Sequence, residues 1–135
     1  MDIRTLALLN FITQILLLGI VITAAYLAKV KRNLTRHCNV MRVAVIVLIL
    51  SIVVIMAPSL FNHLRVRPPL SWFYVEMALH VALGLGIIGI WVYANLCLKG
   101  ILKMRGRLLV SMRVAFIMWV VSFALGVHMY ILTWV

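Results

Sequence analysis

The chain alternates between four long apolar runs and short basic segments. The runs cover residues 6–28, 43–61, 72–98 and 114–135, and none of them contains a lysine or an arginine. About 20 apolar residues are enough to cross the hydrocarbon core of a bilayer as an α-helix, and backbone groups in lipid must hydrogen-bond within their own segment. The pattern therefore predicts four transmembrane helices in a single domain, residues 1–135, with no soluble domain beside it.

The predicted fold class is all-α, an integral membrane four-helix bundle. Short connections favour antiparallel neighbours, which gives an up-down-up-down order. The composition agrees, because 67% of the 135 residues are apolar and 11% are charged, whereas soluble domains average about 45–50% and about 25%. A soluble globular protein and a disordered chain are both excluded. Pro58 is expected to kink the second helix.

The basic residues predict the orientation of the bundle in a cell membrane. The chain has 13 basic and two acidic residues, a net charge of +11. Ten of the basic residues lie in the predicted loops 29–42 and 99–113, and the other three are Arg4, Arg65 and Arg67. The positive-inside rule places these two loops in the cytoplasm and both termini on the outer side. The charge thus reports topology and contact with lipid headgroups, and no nucleic-acid partner is expected.

Motifs of soluble enzyme chemistry are missing from the sequence. There is no P-loop, GxSxG, HExxH or pair of carboxylates, so a stand-alone enzyme is not expected. Cys38 and Cys97 both fall on the predicted cytoplasmic side, and no CxxC or CxxCH motif occurs. A disulfide and a covalently attached haem are therefore not expected.

Three ionisable residues lie inside the predicted spans, and such residues are candidates for function. They are Glu76, His80 and His128. At a rise of 1.5 Å per residue, His80 lies about 13 Å below the outer surface and His128 about 10 Å below it. Glu76 is one turn above His80 on the same helix face. Gln14 reaches a similar depth on the first helix, and His63 follows the second helix at the outer surface.

Two histidines at one depth on neighbouring helices are typical of b-type haem ligation, in which imidazoles hold the iron from both sides. The sequence predicts His80 and His128 as axial ligands, with Glu76 and Gln14 as polar neighbours. Gly84 and Ala124, each one turn from a predicted ligand, would leave room for the ring.

Three other interpretations of these residues stay open. His63, His80 and His128, together with nearby methionines, are also typical of a copper site. Glu76 is a candidate base for quinol chemistry. Finally, all three intramembrane groups can be structural, because buried polar residues often only join helices. Small residues at Gly84, Gly86 and Gly89, and at Ser122 and Gly126, are expected at helix contacts.

Short motifs over residues 30–135 resemble one family. They are His37-Cys38-Asn39-Val40-Met41, His63, Tyr74 with His80, and Trp119 with Gly126-Val127 and Tyr130. The pattern is similar to the four-helix membrane family of unknown function that includes the oxidase-maturation protein CtaM and its relative YozB. The resemblance implies a role beside haem–copper oxidases, in maturation or as an accessory part, and it points to His37, His63 and His80. His128 is not part of the family pattern.

The expected function is that of a small respiratory-chain membrane protein that carries a b-type haem near the outer face, with quinol as a further reactant. The alternatives are an assembly factor or accessory subunit of a haem–copper oxidase without its own cofactor, and a copper-handling membrane protein. Other subunits of a respiratory complex are the expected partners.

Overall fold

The computed structural model describes residues 3–66, 71–103 and 108–134, and the regular elements in these ranges are all helical. They are α1 (Ile3–Lys29), α2 (Leu34–Ser51), a π-helical segment (Ile52–Met56), α3 (Ala57–Val66), α4 (Ser71–Leu98) and α5 (Leu108–Trp134). Helix α2, the π segment and α3 follow one another without a break and form one rod. The described residues thus form four rods, and the predicted all-α four-helix fold is confirmed.

All four rods are long and apolar enough to cross a membrane. The spans are Arg4–Lys29, Leu34–Asn62, Trp72–Leu98 and Leu109–Thr133. The side chains that point away from the bundle are apolar on each rod, with Leu16, Val53, Leu85 and Ile117 each more than 60% exposed. A surface that is apolar on all sides is typical of helices in lipid. The chain is therefore a multi-pass membrane protein.

Two helices begin earlier than the apolar pattern predicts. Helix α2 begins at Leu34 and α5 at Leu108, whereas the apolar runs begin at residues 43 and 114. The side chain of Asn33 caps α2 by accepting a hydrogen bond from the Arg36 N–H at 3.0 Å. Hydropathy marks where a helix enters lipid and not where it begins, so most of the predicted loop 29–42 is helical and Arg36 and Arg42 lie on α2.

The second helix is expected to be kinked at Pro58, and the structure has a π-helical segment just before this proline. Proline has no N–H to donate to the carbonyl of residue 54, so the regular hydrogen-bond ladder cannot continue through this turn. The chain forms wider π-helical turns over Ile52–Met56 and returns to α-helix at Ala57. A π segment inside an α-helix is frequently found beside a functional site.

The rods pack as two hairpins. Helix α1 packs on α2, and α4 packs on α5, while contacts between α1 and α5 join the hairpins. Near the middle of the bundle a buried cluster fills the space between them, and it consists of Leu17, Val21, Ala44, Leu48, Ile87 and Trp119. Burial continues through Ala24, Ala94 and Cys97 toward the α1–α2 and α4–α5 connections. We call this end of the bundle the loop half and the opposite end, which holds α3 and the start of α1, the terminal half.

Candidate ligand-binding cavity

The terminal half contains a cavity between the two hairpins. Its volume is about 410 Å³ and it is partly open at the surface, a size within the range of small-molecule sites of about 300–1,000 Å³. On α4 it extends from Phe73 to Ile87, and on α5 from Trp119 to Thr133. Each stretch rises about 21 Å, so the cavity is a tall slot that begins above the buried cluster and reaches the end of the bundle.

His80 lies midway along the slot and is fixed by the neighbouring helix. Its Nδ1 is 2.8 Å from the main-chain oxygen of Ser122 and 3.2 Å from the Ser122 hydroxyl oxygen. Because a carbonyl oxygen only accepts, Nδ1 carries the proton and donates it. The neutral imidazole then holds a lone pair on Nε2.

Glycine at position 126 makes room for the His80 ring. A Cβ atom built on Gly126 would lie 3.2 Å from His80 Cε1, which is closer than ordinary van der Waals contact. The ring therefore lies close to the α5 backbone at Gly126, one turn beyond Ser122, and both α5 residues line the cavity with it. Ser122 and Gly126 are predicted to lie at a helix contact, and in the structure the imidazole of His80 packs against this part of α5.

The facing hairpin contributes a second polar group to the cavity. Gln14 Nε2 donates to Ser51 Oγ at 3.5 Å, and Ser51 Oγ donates to Asn10 Oδ1 at 3.2 Å. Ser51 is buried, whereas Asn10 and Gln14 both line the cavity. We call these three residues the amide–serine chain.

Glu76 and His128 form a separate pair outside the cavity lining. His128 Nδ1 lies 3.1 Å from the Glu76 carboxylate. The Glu76 side chain is 9% exposed and that of His128 is 52% exposed, so the pair sits at the outer edge of the α4–α5 contact. Neither residue is among those that line the cavity. The structure thus does not bring His80 and His128 together across one ligand.

The remaining predicted site residues divide in the same way. Gly84 lines the cavity, and a Cβ atom there would meet nothing within 4 Å, so this glycine leaves open space. Ala124 is exposed and does not line the cavity. The backbone of His63 belongs to α3, and its side chain lies outside the part of the chain that the structure describes.

Methionine sulfurs line the cavity, but the described residues show no cluster of other metal-binding side chains. Met56, Met77 and Met129 line the same slot as His80. Within the described ranges, no group of three or more histidine, cysteine or acidic residues is arranged to hold a metal ion. Among the described residues that line the cavity, His80 is the one histidine.

His37, in the loop half, is also fixed by a hydrogen bond between its Nδ1 and a main-chain oxygen of a neighbouring helix. Its Nδ1 lies 2.8 Å from the main-chain oxygen of Ala24 on α1. This contact ties the beginning of α2 to α1, far along the bundle from His80. The three histidines that the family resemblance points to therefore do not form one site, in so far as the structure describes them.

Sequence reasoning missed Asn10, which lines the cavity, and Ser51, its buried hydrogen-bond partner. Asn10 and Ser51 lie in apolar runs where polar side chains are costly, and this cost is the signal that would have found them. The part of Ser122 that binds His80 is its carbonyl group, which every residue carries, so no sequence signal could have identified it.

The fold and the cavity define a class: a small, all-helical, multi-pass membrane protein with a ligand-sized slot between two hairpins. The chain matches no protein-family model, no curated protein and no solved structure. The family resemblance carried by the short motifs stays a prediction.

Proposed function

We propose that the protein is a small electron-transfer component of the cell membrane that binds a b-type haem in the cavity, with His80 as its axial histidine. One observation carries the proposal, the hydrogen bond from His80 Nδ1 to the Ser122 carbonyl. Histidines that bind metals donate their other ring N–H to a carbonyl or carboxylate, which fixes the tautomer and raises the basicity of the ligating nitrogen. His80 has this arrangement inside an apolar slot.

The cavity suits a flat ring that stands upright in the membrane. The slot rises about 21 Å along α4 and α5, His80 lies halfway along it, and its walls are mainly apolar. Open space beside Gly84, one turn from His80, leaves room for the edge of the ring. The slot reaches Ala7 and Thr133 near the helix ends, where the charged edge of a haem would meet water.

This proposal uses one histidine, whereas the sequence predicts two. His128 bonds to Glu76 and does not line the cavity, so the proposed site contains His80, Gly84 and Gln14 of the residues predicted from the sequence. A bound haem would supply one-electron chemistry. The chain's own residues orient the ring, exclude water from it and hold the proton on His80 Nδ1.

The orientation and the partners belong to the same proposal. The basic residues at the loop half include Lys29, Lys31, Arg36, Lys99 and Arg113, which favours a cytoplasmic position for this half. The cavity then opens toward the outer leaflet. The exposed faces of the rods suit association with other subunits of a respiratory complex.

A lipid-soluble quinol is a second candidate occupant. No charged side chain is among the described residues that line the cavity, and hydrogen-bonding groups lie on both of its walls. A neutral ring with an oxygen at each edge fits such a site. In this case His80 Nε2, and not Glu76, would accept the hydroxyl proton, because Glu76 lies outside the cavity lining.

The experiment is a reduced-minus-oxidised visible spectrum of the protein purified in detergent, with its haem content. We expect a b-type α-band in the wild type and in His128→Ala, and none in His80→Ala. His128→Ala is the matched control, since it removes an imidazole at similar depth from outside the cavity. A colourless wild type would contradict the proposal, and bound quinone or bound copper would then identify the alternative occupant. A colourless, metal-free protein that co-purifies with an oxidase would favour the accessory role.

A further inference from the structure

The cavity wall that faces His80 carries an ordered run of hydrogen bonds. His80 belongs to the α4–α5 hairpin, whereas the amide–serine chain joins α1 to α2 in the other hairpin. The cavity lies between the hairpins, so a ring held by His80 has the amide–serine chain on its opposite side.

The direction of these hydrogen bonds leaves one donor free. Ser51 donates to Asn10 Oδ1, so the amide oxygen of Asn10 is used and its Nδ2 carries two protons with no acceptor among the described residues. Every side-chain nitrogen or oxygen that is fully buried in the described ranges has a hydrogen-bond partner, so an atom without a partner is not fully buried. Nδ2 of Asn10 is therefore accessible, and since Asn10 lines the cavity, a ligand there can accept from it.

One further feature sets this wall apart from ordinary helix packing, and a second concerns the lining of the whole slot. The π segment begins directly after Ser51, and its residues Ile52 and Met56 line the cavity. Such irregular turns cost regular hydrogen bonds and often lie at functional sites. In addition, the described lining of the slot contains neither a second imidazole nor any charged side chain, which disfavours both a bis-histidine haem and an anionic ligand.

We propose that the amide–serine chain forms the distal side of the haem site and that Asn10 Nδ2 donates a hydrogen bond to a small neutral diatomic ligand at the iron's open position. This inference rests on the proposed haem at His80. Polarity and hydrogen-bond donors on the distal side govern the binding of diatomic molecules to haem. Diatomic gases are neutral and dissolve in lipid, so they can reach a slot inside the membrane.

Carbon monoxide and nitric oxide are the probes that test this inference. The reduced wild-type protein is expected to bind carbon monoxide with a shift of its Soret band. The C–O stretching frequency is expected to rise in Asn10→Leu, because the hydrogen bond to the bound ligand is lost. Nitric oxide is expected to leave Asn10→Leu about 10-fold faster than the wild type, the effect of one lost hydrogen bond. Ser51→Ala, which only releases Asn10 from its partner, is expected to shift the frequency in the same direction by less.

Thr13→Val is the matched control. Thr13 lies on α1 between Asn10 and Gln14, but its hydroxyl donates to the Leu9 carbonyl and it does not line the cavity. An unchanged frequency in this variant supports the assignment. A haem spectrum that carbon monoxide does not alter would overturn the inference alone, and it would indicate a sixth ligand such as Met56, Met77 or Met129. An Asn10→Leu frequency equal to that of the wild type would also overturn it, whereas a protein without haem would overturn the proposed function itself.

Discussion

The Nδ1 atom of His80 donates to the main-chain oxygen of Ser122 at 2.8 Å, across the contact between α4 and α5. This hydrogen bond holds an imidazole against the backbone of another helix, close to Gly126. Because the acceptor is a carbonyl group, substitution of the Ser122 side chain leaves the main contact in place. The orientation of His80 is thus a property of the hairpin, and it leaves Nε2 for a ligand.

Filling the slot beside His80 is expected to abolish ligand binding without unfolding the bundle. A Cβ atom at Gly84 would meet nothing within 4 Å, and Gly84 lines the cavity. Gly84→Leu should therefore place its side chain in the space that the haem ring is proposed to occupy. The measurement is haem content per chain, with the thermal unfolding temperature as a check of folding.

Gly89→Leu is the control for this prediction. Gly89 also has open space around it, lies on the same helix and does not line the cavity. We expect it to keep its haem. Equal haem content in the two variants would contradict the assignment of the slot.

Disturbing the contact between the His80 ring and α5 at Gly126 is expected to weaken haem binding. In Gly126→Ala the new methyl group would lie 3.2 Å from His80 Cε1, so the ring must shift and its hydrogen bond to Ser122 is disturbed. Loss of an orienting contact of this kind typically costs about 10–100-fold in metal affinity, so we expect at least a 10-fold weaker haem affinity by titration of the apoprotein. Gly19→Ala, where no atom lies within 4 Å, should leave the affinity unchanged; a similar loss there would point to general destabilisation.

The Glu76–His128 pair is expected to stabilise the hairpin and to have no part in haem binding. A double-mutant cycle with Glu76→Gln and His128→Gln should give a coupling free energy of about 0.6 kcal/mol, the average for polar contacts between transmembrane helices. The measurement is unfolding in mixed micelles, together with the visible spectrum of each variant. Loss of the haem band in either single variant would contradict this prediction and show that the pair takes part in haem binding.

The orientation can be tested by labelling single cysteines with a membrane-impermeant maleimide in cells. In a Cys38→Ser, Cys97→Ser background, Lys31→Cys and Lys99→Cys should react only after permeabilisation, because the basic loop half is expected in the cytoplasm. Trp72→Cys, at the end of the third span in the terminal half, should react in intact cells. The reverse pattern would show that the bundle has the opposite orientation.

The number of rods and their apolar surfaces could be predicted because the bilayer imposes them. A span must be apolar over about 20 residues, and this demand is visible in any window of the sequence. The starts of α2 and α5 were not predictable in the same way, because helices continue into water with polar side chains such as Arg36 and Arg42.

The sequence also gives the depth of a residue along its helix but not the direction of its side chain relative to other helices. The sequence predicts His80 and His128 at one depth, and each contacts the neighbouring helix. However, His128 follows Gly126 by two residues, about 200° around the helix axis. Gly126 faces the cavity and His128 faces the membrane side, so equal depth does not place the two imidazoles on one ligand.

The most direct measurement is the haem content and visible spectrum of His80→Gly, purified with and without added imidazole. If His80 is the axial ligand, the variant loses its b-type spectrum, and free imidazole restores it by occupying the space of the missing side chain. His128→Gly, treated in the same way, should keep its spectrum throughout. A wild-type protein that carries haem and a His80→Gly variant that retains the unchanged spectrum without imidazole would contradict the account.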